Sequence, residues 1–311
     1  MEGLYRVSSS PHIRSEKTVS IVMRDVLIGL APATLAGVYF FGLNAALLMA
    51  ISVIAAMATE AAIQSFRKQK ITVNDYSAAI TGLLLAMNMP SSAPLWLPIV
   101  GSIFAVAIVK HAFGGLGHNF MNPALAARAF LLASWPVEMT AWVKPLTDGV
   151  SGATILGIMK EGTGEELPSL MSALIGNVGG SIGETSALLL LIGGLYLVYR
   201  GVISYRIPAF YIGTVFVLSI LFNGFDVTSA FYSIFAGGLI LGAFFMATDY
   251  ASSPINAKGQ IVYAIGAGLI TALIRFYGGY PEGVSYAILL MNVATPLIER
   301  YTAPRVFGGA K

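Results

Sequence analysis

The sequence predicts an all-α polytopic membrane protein of about ten transmembrane helices, built as two five-helix inverted repeats with interrupted helices. Three observations carry that prediction. Of 311 residues, 56% are hydrophobic and 11% are charged, against roughly 25% charged in an average soluble domain. The apolar residues gather into runs whose flanking Lys and Arg fall mainly on one side. Matched turns recur in the two halves of the chain.

A bilayer core of about 30 Å needs close to 20 apolar residues per helix, or fewer where a helix breaks inside the protein. Residues 1–20 are polar up to Lys17 and hold no short apolar stretch with a small-residue cleavage site, so a cytoplasmic segment without a cleaved signal peptide is expected. The first repeat, 21–135, holds spans at roughly 21 to 42, 44 to 66, 75 to 90, 94 to 113 and 121 to 135. A loop at 136–183 follows, with Glu138, Asp148, Glu161, Glu165 and Glu166. The second repeat, 184–302, holds spans at roughly 184 to 200, 206 to 223, 228 to 248, 259 to 276 and 283 to 299, and 303–311 form a tail.

Positively charged loops stay cytoplasmic. With the N-terminus inside, fifteen of the 18 Lys and Arg residues fall at the inner face, and only Lys144, Lys160 and Arg275 fall outside. Both termini are therefore expected in the cytoplasm and the 136–183 loop outside, in the inner (cytoplasmic) membrane of a cell.

The halves echo one another. Ser77 to Pro94 has the cadence of Phe235 to Pro254, each a Gly-containing apolar helix ending in a Ser-Ser turn with a proline. Ala107-Ile-Val-Lys-His-Ala-Phe-Gly-Gly115 pairs with Leu273-Ile-Arg-Phe-Tyr-Gly-Gly279, followed by Asn122-Pro123-Ala124 in one half and Asn292 to Pro296 in the other. An odd number of spans per repeat inserts the second copy upside down, with discontinuous helices meeting near the midplane. The other reading is that Gly-rich membrane helices resemble one another by composition.

Composition narrows the chemistry. Cysteine is absent, so disulfides, thiolate metal sites and iron–sulfur ligation are excluded, and three scattered histidines make no zinc site. A net charge of +3 with dispersed basic residues does not suit nucleic acid. No metal site is expected.

The loop carries Asp148-Gly149-Val150-Ser151-Gly152-Ala153-Thr154. Such a run can be a polar turn into a helix start, since Ser and Thr cap helices and Gly permits a tight backbone. A helix N-terminus is also a seat for phosphate, and a threonine hydroxyl there can be esterified by one. The run resembles the flavinylation motif Asp-x-x-Ser-Gly-Ala-Thr, in which a flavin transferase links FMN through its phosphate to the threonine hydroxyl.

With this motif in place, the chain resembles the family that contains the D subunit of the Rnf complex, an ion-translocating ferredoxin:NAD oxidoreductase, and the B subunit of the sodium-translocating NADH:quinone oxidoreductase. The resemblance runs from Thr18 to Gly309. Its other marks are Ile80 to Leu85, Phe113 to Ala124 with Arg128-Ala-Phe-Leu131, Phe245-Met-Ala-Thr-Asp249 and Tyr280 to Leu290. The chain lacks the long N-terminal extension of the quinone-reductase subunit and so fits the Rnf member better. The resemblance implies covalent FMN on Thr154, with Asp148, Ser151, Gly152 and Ala153 around it. It also implies partners: the A and E membrane subunits, the flavin-bearing G subunit, the cytoplasmic B and C subunits, a flavin transferase and membrane lipid.

Thr81, Asn119, Asn122 and Asp249 belong to corresponding interrupted elements and are expected to converge in the cytoplasmic half. Polar groups inside a membrane need partners, so four near one level point to a polar ligand. The resemblance implies a non-covalent riboflavin there. Alternatively Asn122 and Thr81 satisfy backbone groups freed by broken helices, and Asp249 binds a cation or faces the inner aqueous surface.

Among the other charges, Arg24 and Asp25 read as interfacial anchors, and Glu60 as a solvated or lysine-paired carboxylate. Arg128 is a further intramembrane charge. Arg275 either neutralises the flavin or snorkels among Tyr277 and Tyr280. Trp96, Trp135 and Trp142 read as interfacial belt residues.

The expected function is a flavin-carrying subunit that relays electrons across the membrane between ferredoxin and NAD, coupled to Na⁺ or H⁺ translocation. No Rossmann fingerprint or iron ligand set occurs, so ferredoxin and NAD fall to other subunits. The alternative is a secondary transporter or channel without redox chemistry.

Overall fold

The computed structural model describes residues 17–146, 152–161, 166–184 and 186–304. Among these, helices dominate and no strand forms. Helix α1 (Val19–Phe66) starts at Thr18, whose Oγ1 accepts the Ile21 N–H at 3.4 Å as an N-cap. Gly42, at φ 72°, breaks its 48 residues into two arms. The break falls where the hydropathy pattern separates the first two spans, and glycine takes this left-handed region without steric cost.

The first half continues with α2 (Ser77–Met87), α3 (Leu97–His111) and α4 (Pro123–Ser134). The last turns of α3 are π-helical. After a short helix, α5 (Ile155–Glu161), the second half holds α6 (Ala187–Tyr199) and α7 (Arg206–Phe222). Then come a broken pair, α8 (Val227–Phe235) and α9 (Leu239–Met246), and finally α10 (Ala257–Tyr277) and α11 (Val284–Thr302).

Helix length and apolar content single out fewer spans than the sequence has apolar runs. Among the described residues only α1 and α10 are long and apolar enough to cross alone, and α8 with α9 pass the same test as one element bent by 62°. Helices α2, α3, α4, α6 and α7 have between 10 and 17 residues. Short helices are tolerated where protein covers their ends. Every residue of α2 is buried, and Asn122 caps α4 by accepting the N–H groups of Ala124 and Leu125 at 3.0 and 3.2 Å.

The two halves meet along seams between corresponding elements. Helices α1 and α6 cross with their backbones in contact, since a Cβ on Gly193 would lie 1.9 Å from the Gly29 carbonyl oxygen. Small residues permit this approach. On the same seam Asp25 is buried and pairs with Arg200 at 3.1 Å, so it ties the halves together and is not an interfacial anchor. Deeper in, the Asn122 N–H donates to Asn292 Oδ1 at 3.1 Å, joining two of the positions that the repeated motifs align.

Helix α10 sets the spacing of the two ends of the bundle. It begins beyond the Asp249–Ser252 turn, and Arg275 lies in its last turn. At about 1.5 Å per residue its 21 residues put roughly 30 Å between them.

Candidate functional site

At the Asp249 end lies a cavity of about 760 Å³, counting its open mouth. All four polar residues expected to converge line it: Thr81 from α2, Asn119 and Asn122 from the turn before α4, and Asp249 just after α9. Its apolar wall includes Val22, Met23 and Val26 of α1 with Phe244 and Phe245 of α9. Both halves of the chain therefore build it.

The four groups are committed to different degrees. Thr81 donates to the Ser77 carbonyl at 3.0 Å, within its own helix. Asn122 is largely spent on backbone, capping α4 and donating through Nδ2 to the Met246 carbonyl at 3.2 Å. Asn122 thus satisfies groups freed at helix ends, while Thr81 bonds only within its own unbroken helix. Asp249 Oδ2 accepts from Asn119 Nδ2 at 3.2 Å and from Ser252 Oγ at 2.8 Å. Asn119 and Asp249 thus form a donor and acceptor pair on the cavity wall.

Sequence reasoning did not place Lys110 and Ser77 in this site. Lys110 lines the cavity, is 2% exposed, and donates to Glu60 Oε1 at 2.8 Å and to Ser77 Oγ at 2.7 Å. Glu60 also faces His111 Nε2 at 3.3 Å and Gln64 Nε2 at 3.3 Å. Glu60 is therefore lysine-paired and buried, not solvated. A lysine inside the apolar run 97–111 was the available signal, because such a charge needs a partner.

A ring bearing both carbonyl and N–H edges suits this lining. It offers an ammonium donor, an amide, a carboxylate acceptor and apolar faces in one place.

At the other end, Thr154 is buried and its Oγ1 accepts the Gly157 N–H at 3.1 Å at the start of α5. The Gly152 N–H donates to the Trp142 carbonyl at 3.1 Å. Gly152 and Ala153 are half-buried, while Asp148 and Ser151 lie outside the described residues. Lys160 fastens α5 to the end of α10 by donating to the carbonyls of Gly278 and Tyr280.

Arg275 is buried, and its guanidinium donates to the carbonyls of Ser233, Ala236 and Gly237. These are groups released where α8 breaks from α9, so the snorkelling expected among Tyr277 and Tyr280 does not occur. Arg275 does neighbour the Thr154 segment. A Cβ at Gly237 would meet Leu156 Cδ1 at 2.2 Å and Arg275 Nη2 at 2.8 Å. Arg128 pairs with Glu282 and with Ser285 Oγ. Trp96 and Trp135 meet edge to face at 5.3 Å. Among the described residues no His, Cys, Asp and Glu cluster could hold a metal ion.

A family model described as NQR2, RnfD, RnfE family matches residues 6–308. The chain belongs to this family. It is 58% identical over 308 residues to the D subunit of the Na⁺-translocating ferredoxin:NAD⁺ oxidoreductase complex of Acetobacterium woodii, covering 98% of this chain and 96% of that one. It is 46% identical over 323 residues to the D subunit of the proton-translocating ferredoxin:NAD⁺ oxidoreductase complex of Clostridium ljungdahlii, covering 99% and 97%. It is 40% identical over 337 residues to the D subunit of an ion-translocating oxidoreductase complex of Halorhodospira halophila, covering 96% and 94%. The family match spans both halves of the bundle, so the cavity and the Thr154 segment both lie inside it.

Proposed function

We propose that this chain is the D-type membrane subunit of an ion-translocating ferredoxin:NAD⁺ oxidoreductase, with covalent FMN on Thr154 and a non-covalent riboflavin in the cavity between the halves. The observation that carries the two-site reading is the convergence of Thr81, Asn119, Asn122 and Asp249 on one cavity, at the end of α10 opposite the Thr154 segment. The family match over residues 6–308 and the named relatives support the complex and disfavour a stand-alone transporter.

Flavin supplies the redox chemistry when bound, since it exchanges one or two electrons with its neighbours. The protein's part is position and charge. Thr154 supplies the hydroxyl that is esterified, and Lys160 keeps α5 docked on the α10 terminus. Asn119 and Asp249 would hold the polar part of the ligand, and Phe244 and Phe245 would help exclude water from the cavity. The bias of basic residues, fourteen to four once Arg128 is placed beside Glu282 at the start of α11, supports cytoplasmic termini and an outer Thr154. Partner subunits, including the cytoplasmic ones, supply the ferredoxin and NAD sites. The Acetobacterium and Clostridium relatives differ in coupling ion, so Na⁺ or H⁺ is translocated.

Acid extraction separates the two flavins in one sample. Asn119→Leu removes a polar group of the cavity wall, whose Nδ2 donates to the Met121 carbonyl and to Asp249, without touching the α4 cap, and should lower the extractable flavin about tenfold, given about 1–3 kcal/mol per lost buried partner. The intact-mass increment on Thr154 should persist. Unmodified protein with no extractable flavin would overturn the cavity assignment, and unmodified protein without the mass increment would overturn the covalent one.

A further inference from the structure

Lys110 both pairs within the fold and lines the cavity. A lone lysine inside a helical bundle is costly and needs a counter-charge. Glu60 supplies one at 2.8 Å, from the second arm of α1. The pair is arranged asymmetrically about the cavity: Lys110 lines it and Glu60 does not. Behind Lys110 stand Glu60, then His111 and Gln64, while Arg67 donates to the His111 carbonyl at 3.0 Å. Glu60 Oε2 is buried and has no hydrogen-bond partner among the described residues. Ser77, which receives the second Lys110 hydrogen, is itself fixed by donating to Asp75 Oδ1 at 2.6 Å. The ammonium is thereby fixed by Glu60 and Ser77 beside a cavity that Lys110 lines and Glu60 does not. The remaining charge on the lining is Asp249, on a different segment, already accepting from Asn119 and Ser252.

A cation fixed against an enclosed, partly apolar cavity favours whichever state of a bound ligand carries more negative charge. For a flavin, uptake of two electrons from the ferredoxin-linked chain and one proton from water leaves one net negative charge on the ring. We propose that Lys110 is the charge-compensating residue of this cavity, tightening the reduced form of the ring ligand over the oxidised form, with Glu60 as the positioning residue that holds the ammonium. This rests on the reading of the cavity as a flavin site. Asn119 and Asp249 recognise the ring in either state, and Lys110 discriminates between the states.

The test uses the purified full-length chain carrying Thr154→Val, so that only the cavity can hold flavin, with riboflavin as the probe and dithionite as the reductant. Fluorescence quenching gives the affinity of the oxidised form, and a redox titration gives the midpoint potential of the bound form. Lys110→Met should weaken binding of the reduced form about tenfold relative to the oxidised one, a fall of about 30 mV for a two-electron couple. Lys110→Arg should keep the parent potential. Glu60→Gln keeps a hydrogen-bonding side chain behind Lys110 but removes its counter-charge, and should raise the potential. It gives a test of opposite sign if Lys110→Met does not fold. Riboflavin bound to Lys110→Met or to Glu60→Gln at the parent potential would overturn the role of Lys110 and leave the cavity assignment standing. A parent that binds no riboflavin would overturn both.

Discussion

The backbone N–H of Asn122 donates to Oδ1 of Asn292, 170 residues away, and so joins the start of α4 to the middle of α11. Asn292 also donates to the Ser252 carbonyl and to the Tyr263 hydroxyl, at 3.1 and 2.8 Å. Interhelical hydrogen bonds in membranes average about 0.6 kcal/mol, and an orphaned buried partner costs about 1–3 kcal/mol. Asn292→Leu should therefore destabilise the protein by about 2 kcal/mol, seen as an earlier thermal transition in detergent. An unshifted transition would show that water replaces this side chain.

Covalent attachment at Thr154 predicts that Thr154→Val loses both the FMN mass increment and ultraviolet fluorescence on a denaturing gel. Val keeps the shape but loses the Gly157 cap as well as the hydroxyl. Thr154→Ser keeps the hydroxyl that serves as both nucleophile and Gly157 cap, and should restore the mass increment and the fluorescence. Fluorescence retained in the Val variant would move the attachment elsewhere.

Residues whose oddity is local are legible in the sequence. Thr81, Asn119, Asn122 and Asp249 are polar groups in or beside apolar runs, and they share one cavity. The break at Gly42 is marked by the hydropathy pattern. Partners distant in the chain are not legible. Lys110 and Glu60 are 50 residues apart, and neither run announces the other. Arg275 is harder still, because it binds backbone carbonyls and any sequence can supply those. Span length misleads for a related reason: apolar content shows that a helix is shielded from water, and α2 is shielded by protein on all sides.

Arg275 and Arg200 offer a contrast in stability. Arg275→Met strands three carbonyls at the α8/α9 break, and charged hydrogen bonds are worth about 1.5–3 kcal/mol each, so a loss of about 3 kcal/mol is expected. The Arg200 side chain is 44% exposed, and solvent screening should make Arg200→Ala the smaller loss. Thermal unfolding of both variants checks the order, and a larger loss for Arg200→Ala would reverse the assignment of which cation braces the fold.

Topology predicts opposite labelling at the two ends, in a chain that has no native cysteine. Glu166 and Ile255 are both exposed. A cysteine replacing Glu166 should react with an impermeant thiol reagent in intact cells, and one replacing Ile255 only after lysis. The reverse pattern would put the Thr154 segment in the cytoplasm.

The cavity draws Thr81 and Asn119 from the first half of the chain and Asp249 from the second, so it does not exist until nearly the whole chain has been made and inserted. Neither half alone presents the full set of contacts. Loading of a ligand there is consequently a late event in biogenesis, and an occupied cavity reports that both halves have docked. A chain stalled after α5 would already carry Thr154, so acquisition at the two ends can be separated in time.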